Sequence, residues 1–159
     1  MEAAKEKAPL NRRIFIVHGH DQEMKQTAAR TLEALRFQPI ILHEQAGAGR
    51  TIIEKFEAYA DVGFAVVLLA PDDSLFAAPQ ADAKLVQRTR QNVVLELGFF
   101  IGKLGRARVA VIFRNSPDFE PPSDYAGVEY LHYEDGAWRL PLVRELRAAG
   151  YEVDANLLP

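Results

Sequence analysis

Residues Phe64 to Asp73 read FAVVLLAPDD. Seven apolar residues in succession, with no polar alternation, predict a strand buried on both faces. The Pro-Asp-Asp that follows predicts a turn. A strand with no solvent face needs partners on each side and helices above and below it, which is the arrangement of a parallel sheet in an α/β protein.

The flanking sequence supplies those partners. RIFIVHGHD predicts a buried strand from Arg13 to Val17 that ends in a polar turn containing Gly19. QEMKQTAARTLEALRF then sets Met24, Ala28, Leu32 and Leu35 at helical spacing, and QPIILHE reads as a second short strand. QAGAGR is a loop with Gly47 and Gly49. A helix follows from Thr51, TIIEKFEAYADVG, with Ile52, Phe56 and Tyr59 on one face and Thr51 and Glu54 in a capping box.

Beyond Asp73, SLFAAPQADAKLVQRT has no clear periodicity and reads as a loop with one helical turn. RQNVVLELGFFIGKLG, Arg90 to Gly105, is a helix, and RVAVIFR is the fourth strand. NSPDFEPPSDYAGVE is a Pro-rich surface connection and YLHY a short fifth strand. The last helix, PLVRELRAAG, has Pro at a tolerated early position and Gly150 at its stop. The whole is an α/β fold, a central parallel sheet of about five strands with helices on both faces. The polar strand ends, His18-Gly19-His20-Asp21 and Asp72-Asp73, are then expected to share the carboxyl edge, where open α/β sheets bind ligands.

Composition narrows the function classes. The chain has 159 residues, 48% hydrophobic and 26% charged, which predicts one domain with a substantial core. A net charge of -3 supplies no electrostatic reason for a nucleic-acid or anionic-membrane partner. With no cysteine there is no disulfide framework, thiol nucleophile or Cys-ligated metal. MEAAKEKAPLNRR lacks the apolar segment of a signal peptide, and no apolar run approaches the roughly 18 residues of a membrane span. These features predict a cytoplasmic protein with residues 1–12 as a disordered lead and one domain over 13–159.

The helix from Arg90 to Gly105 poses the chemical question, because it carries one carboxylate, Glu96, among Val93, Val94, Leu95, Leu97, Phe99 and Phe100. On a wheel of about 100° per residue, Val93, Leu97, Phe100, Ile101 and Leu104 share a face. Asn92, Glu96 and Lys103 form a polar stripe at its edge, with Asn92 and Glu96 neighbours at i, i+4. Gly98 and Gly102 flatten another side and would permit close packing. Burying an unpaired charge costs several kcal/mol or more, so Glu96 either reaches water or an ion pair from the rim, or serves a cleft. Spacing alone leaves both readings open.

The other candidates are weaker. His18, His20 and Asp21 are metal-ligand types, but no third ligand with matched geometry is evident, so an ordinary strand-end turn is favoured. GAGR lacks both the Walker and the Rossmann glycine patterns. It stands as a mobile loop carrying Arg50. Asp72 and Asp73 more often cap a following segment than act as a carboxylate pair. Trp138 reads as packing.

Four blocks together, IFIVHGHD, PIILHEQAGAGRTIIEKFEAYADVGFAVVLLAPDD, RQNVVLELGFFIGKLGR and PSDYAGVEY, resemble the prokaryotic TIR-like family of effectors in CBASS and Pycsar antiphage systems. The resemblance runs from about Arg13 to the C-terminus. It implies the flavodoxin-like TIR fold and an NAD+ glycohydrolase that cleaves the ribose–nicotinamide bond. The family's catalytic glutamate falls on Glu96. Its mobile loop after the second strand falls on Gln45 to Arg50, and its nicotinamide-ribose loop on His18 to Asp21. Many members have an acid where this chain has Gln91.

The candidate set is thus Glu96 as the catalytic carboxylate, with His18, Gly19, His20, Asp21, Gly49, Arg50, Asp72 and Asn92 binding substrate. No metal and no cofactor are expected, NAD+ being the substrate. The resemblance also implies activation by self-association through the loop 45–50. A cyclic-nucleotide sensor domain, for which 159 residues leave no room, is expected outside this chain. Two rival functions keep the same layout: a nucleoside deoxyribosyltransferase-like enzyme and a non-catalytic TIR assembly module.

Overall fold

The computed structural model describes residues 11–41, 61–71, 87–88, 91–115, 119–120 and 128–159, with Glu54 and Glu57 between them; for 87–88, 91–95 and 119–120 it describes the backbone alone. The chain runs β1 (Arg13–Val17), α1 (Gln22–Ala34), β2 (Gln38–Ile41), β3 (Phe64–Leu69), β4 (Gln87–Arg88), α2 (Gln91–Leu104), β5 (Val109–Phe113), β6 (Phe119–Glu120), β7 (Glu129–His132) and α3 (Arg139–Ala148). The main sheet has the order β2-β1-β3-β5-β7, and every neighbouring pair is parallel. Counting only its own five strands in chain order, this is the 2-1-3-4-5 order of flavodoxin-like folds.

Strand pleat divides the core in two. Ile14, Ile16, Phe64, Val66, Leu68, Ala110 and Ile112 face one layer, where they meet Met24, Ala28 and Leu32 of α1 and Leu142, Val143 and Leu146 of α3. Their sequence neighbours Phe15, Val17, Ala65, Val67, Leu69, Val111 and Phe113 face the other, against Leu97 and Phe100 of α2. Both layers are dry, so FAVVLL is apolar throughout: each residue fully buried adds about 1.5–3 kcal/mol for the larger aliphatic and aromatic side chains.

Local signals set the element ends. Asp21 caps α1, its carboxylate accepting from the Met24 amide at 3.0 Å. The helix closes through Arg36, whose φ of 66° is the left-handed conformation that reverses the chain into β2. Helix α3 begins at Arg139, two residues before the expected Pro141, because a 3-10 turn at Glu134–Gly136 leads into it and Pro141 falls in the first turn, where no amide donor is needed. Trp138 is packing, 1% exposed and stacked on Tyr133.

Two expectations change. The connections read as a loop with one helical turn and as a Pro-rich surface segment carry a two-residue parallel ladder, Gln87–Arg88 against Phe119–Glu120. A pairing this short leaves no period in the sequence. Gly98 and Gly102 are exposed, and a Cβ at either would meet nothing within 4 Å among the described residues, so neither marks a close approach to them. The loop 45–50, the segment from Thr51 to Ile53, and Asp72 and Asp73 lie outside the described residues. Glu54 and Glu57 are helical, in agreement with the helix expected there.

Candidate functional site

The carboxyl edge of the sheet is assembled from the ends of β1, β3, β5 and β7. After Val17, β1 enters the turn His18-Gly19-His20 and reaches Asp21. Val17 faces the α2 layer and Met24 the α1 layer, so the turn passes between the two sides of the sheet. His18 is buried, 9% exposed, and its Nδ1 lies 2.8 Å from the Gly19 carbonyl oxygen. A carbonyl only accepts, so Nδ1 carries a hydrogen, and in the neutral ring Nε2 is the acceptor. His20 is exposed.

Glu96 is half-buried on α2, beside the fully buried Leu97. Its height along the sheet follows from the packing. Gly105 and the 3-10 turn Arg106–Arg108 join the end of α2 to the start of β5, so α2 runs antiparallel to the strands and its first turn lies at their carboxyl ends. One helical turn beyond Glu96, the Phe100 ring packs on Phe15 at 4.7 Å. Four residues of helix advance about 6 Å, roughly the rise of two strand residues, so Glu96 lies toward the carboxyl end of β1. The acid and the first loop thus both lie on the carboxyl side of the Phe15–Phe100 contact.

The set is not wholly visible. Asn92 lies in the first turn of α2, where the backbone alone is described; Gly49, Arg50 and Asp72 are outside the described residues. Asp21, expected to bind substrate, is held by protein on both oxygens: Oδ1 by the Met24 amide, and Oδ2 by Arg114 Nε at 2.9 Å. The second contact is a half-exposed charge pair without hydrogen-bond alignment, in which the Nε atom itself is shielded from solvent.

A cluster that the sequence did not announce surrounds that pair. Arg114, the first residue after β5, contacts Asp21 and Glu23 at the start of α1. Tyr133, just after β7, donates its hydroxyl to Glu23 at 2.5 Å, and the Arg114 guanidinium lies 4.6 Å from the Tyr133 ring centre. The hydrogen bond from Tyr133, then the Arg114 charge, hold Glu23 below the usual carboxylate range against the opposing loss of hydration. Burial and the Glu23 carboxylate push the Tyr133 hydroxyl up. The only sequence signal was an acid in the first turn of a helix, and it names no partner.

Among the described residues no group of three or more His, Asp or Glu side chains could hold a metal ion, and no helix is long and apolar enough to cross a membrane.

The chain resembles known proteins over most of its length. The family model described as CAP12/Pycsar effector protein, TIR domain, matches residues 13–135, a span that includes His18, Glu96, Arg114 and Tyr133. The protein YuaY of Escherichia coli strain K12 is 48% identical over 150 residues, which are 93% of this chain and 49% of YuaY. Protein tirC of Dictyostelium discoideum is 33% identical over 130 residues, 77% of this chain and 65% of tirC. The Pycsar effector protein PaPycTIR of Pseudomonas aeruginosa is 32% identical over 87 residues, 54% of this chain and 27% of that protein. The chain thus spans half the length of YuaY and a smaller share of the Pycsar effector.

Proposed function

This chain belongs to the CAP12/Pycsar effector TIR-domain family, and on that premise we propose that it is an NAD+ glycohydrolase acting in antiphage defence, with Glu96 as its catalytic carboxylate. The observation that carries the reading is Glu96 itself: the one carboxylate of a mostly apolar helix, half-buried and toward the carboxyl end of β1.

The chemistry asks little else of the protein. Breaking the bond between ribose C1′ and the nicotinamide nitrogen sends the electron pair to the ring, which leaves as neutral nicotinamide because it was a cationic pyridinium. No general acid is needed. The ribose becomes oxocarbenium-like, and a carboxylate on its face stabilises the positive charge as it develops. Water then adds to C1′, releasing a proton and ADP-ribose. In this reading Glu96 faces the ribose, while His18, Gly19 and His20 border the nicotinamide end.

The proposal includes self-association through the loop 45–50 and control by a cyclic-nucleotide sensor outside this chain. The names of the Pycsar effectors from Pseudomonas and Xanthomonas support the sensor; the self-association rests on the family resemblance.

Chromatography of NAD+ incubated with concentrated protein is the test. Wild type should release nicotinamide with linear or cyclic ADP-ribose, and Glu96→Gln should lose at least about 100-fold in turnover while keeping the fold. No cleavage by assembled wild type would refute the activity, and full cleavage by the Gln variant would refute the mechanism. Transfer of deoxyribose from a free nucleoside to a base acceptor would identify the transferase alternative.

A further inference from the structure

We infer that Arg114 is a positioning residue for the His18–Asp21 turn, through which the ends of β5 and β7 set the height of that turn beside Glu96. Asp21 ends the turn and is fixed from two sides, as the cap of α1 and as the partner of Arg114 Nε. Glu23, two residues further on, accepts from both Arg114 Nη2 and the Tyr133 hydroxyl.

The two anchoring residues are themselves tied to the sheet. The Arg114 amide donates to the Leu69 carbonyl, and the Tyr133 amide to the Phe113 carbonyl, each at 2.9 Å. The ends of β3, β5 and β7 are thereby joined to the first turn of α1. Only His18, Gly19 and His20 lie between this junction and the end of β1. Three residues span at most about 10 Å, so the turn takes its position from its two fixed ends.

A direct role for Arg114 in binding the substrate's phosphates is disfavoured by charge. One guanidinium between the carboxylates of Asp21 and Glu23 leaves the cluster with a net negative charge, which repels a pyrophosphate. A mainly stabilising role is disfavoured by exposure. The side chains of Arg114, Asp21 and Glu23 are 36%, 24% and 64% exposed, and ion pairs this wet add little to global stability. What the cluster supplies is local geometry.

The test compares full-length wild type with Arg114→Ala, Arg114→Lys and Tyr133→Phe, and has two readouts. Amide hydrogen exchange over residues 18–25 should quicken about tenfold in Arg114→Ala, with β3 unchanged. The kinetic readout rests on the NAD+ reading above: KM should rise about tenfold with kcat nearly unchanged. Lysine can meet one carboxylate but not both, so Arg114→Lys should recover part of each effect.

Wild-type exchange and wild-type KM in Arg114→Ala would overturn the inference. So would a fall in kcat with exchange and KM intact, because that marks a catalytic residue. If Arg114→Ala fails to fold, Tyr133→Phe carries the same two readouts with a single hydroxyl removed. Should wild type leave NAD+ intact, the proposed activity falls, and the exchange readout still decides the positioning role.

Discussion

Phe15 on β1 and Phe100 on α2 meet ring to ring at 4.7 Å, tilted by 38°, and both are fully buried. Phe99 closes the flank edge-on to Phe100, with centroids 5.2 Å apart. This contact is the ruler that sets Glu96 against the end of β1, because helix and strand can slide past each other only by breaking it. Core packing and site geometry are therefore one property here.

Phe100→Ala should accordingly cost about 3–5 kcal/mol, the range for truncating a buried aromatic residue. Phe100→Leu should cost much less. Urea unfolding measures both, and activity per folded molecule should fall further in the alanine variant. A cost near zero would mean that α2 is held elsewhere.

Gly63 precedes β3 at a crowded junction. A Cβ there would lie 2.0 Å from the Tyr151 hydroxyl oxygen and 2.3 Å from the Asn11 carbonyl oxygen, which are themselves hydrogen-bonded at 2.6 Å. Gly63→Ala should destabilise by about 1–3 kcal/mol or more through overpacking. Adding Tyr151→Phe should recover only part, since the Asn11 backbone stays in the way. Full recovery in the double variant would show that the hydroxyl was the whole obstacle.

Acid should weaken the Glu23 junction. Its carboxyl is held below the ordinary value of 4.5, chiefly by the Tyr133 hydroxyl and also by Arg114. A depressed carboxyl stabilises the fold above its unfolded-state value, and the contribution is lost as pH falls through the folded-state value. The stability gap between wild type and Glu23→Gln should hence be present at neutral pH and shrink below about pH 4.5. Glu23 is exposed, so the gap should be small. A gap that widens in acid would contradict the assignment.

Specific activity should rise steeply with protein concentration. That follows from the proposed self-association through the loop 45–50, whose sequence carries Gly47 and Gly49, so that an outside contact would complete the pocket. Arg50→Ala should weaken assembly and turnover together, whereas Glu96→Gln should spare assembly. Light scattering beside an NAD+ assay separates the two, and a flat activity profile at high turnover would show that one copy suffices.

Much of this was legible in sequence because its signals are local. FAVVLL could only be a strand covered on both faces, since any exposed face would have demanded polar residues. Helical spacing put Glu96 at the rim of a buried face, and the structure finds it half-buried. The turn after the first strand was marked by its loss of apolar residues. Gly98 and Gly102 left close packing open, because a missing side chain reads the same whether a neighbour or solvent fills the space, and among the described residues nothing approaches them.

The sequence by itself determined the alternation of strands and helices, the two-sided core and the position of Glu96 on its helix, all consequences of periods of two and 3.6 residues. Only the tertiary structure decided who meets whom across the sheet. Arg114 and Glu23 are 91 positions apart, and Tyr133 and Glu23 are 110. They touch because the order β2-β1-β3-β5-β7 and its parallel registers bring those strand ends to one edge. Periodicity fixes which face a residue takes, but strand order is set by how the whole core closes, and no local pattern carries it.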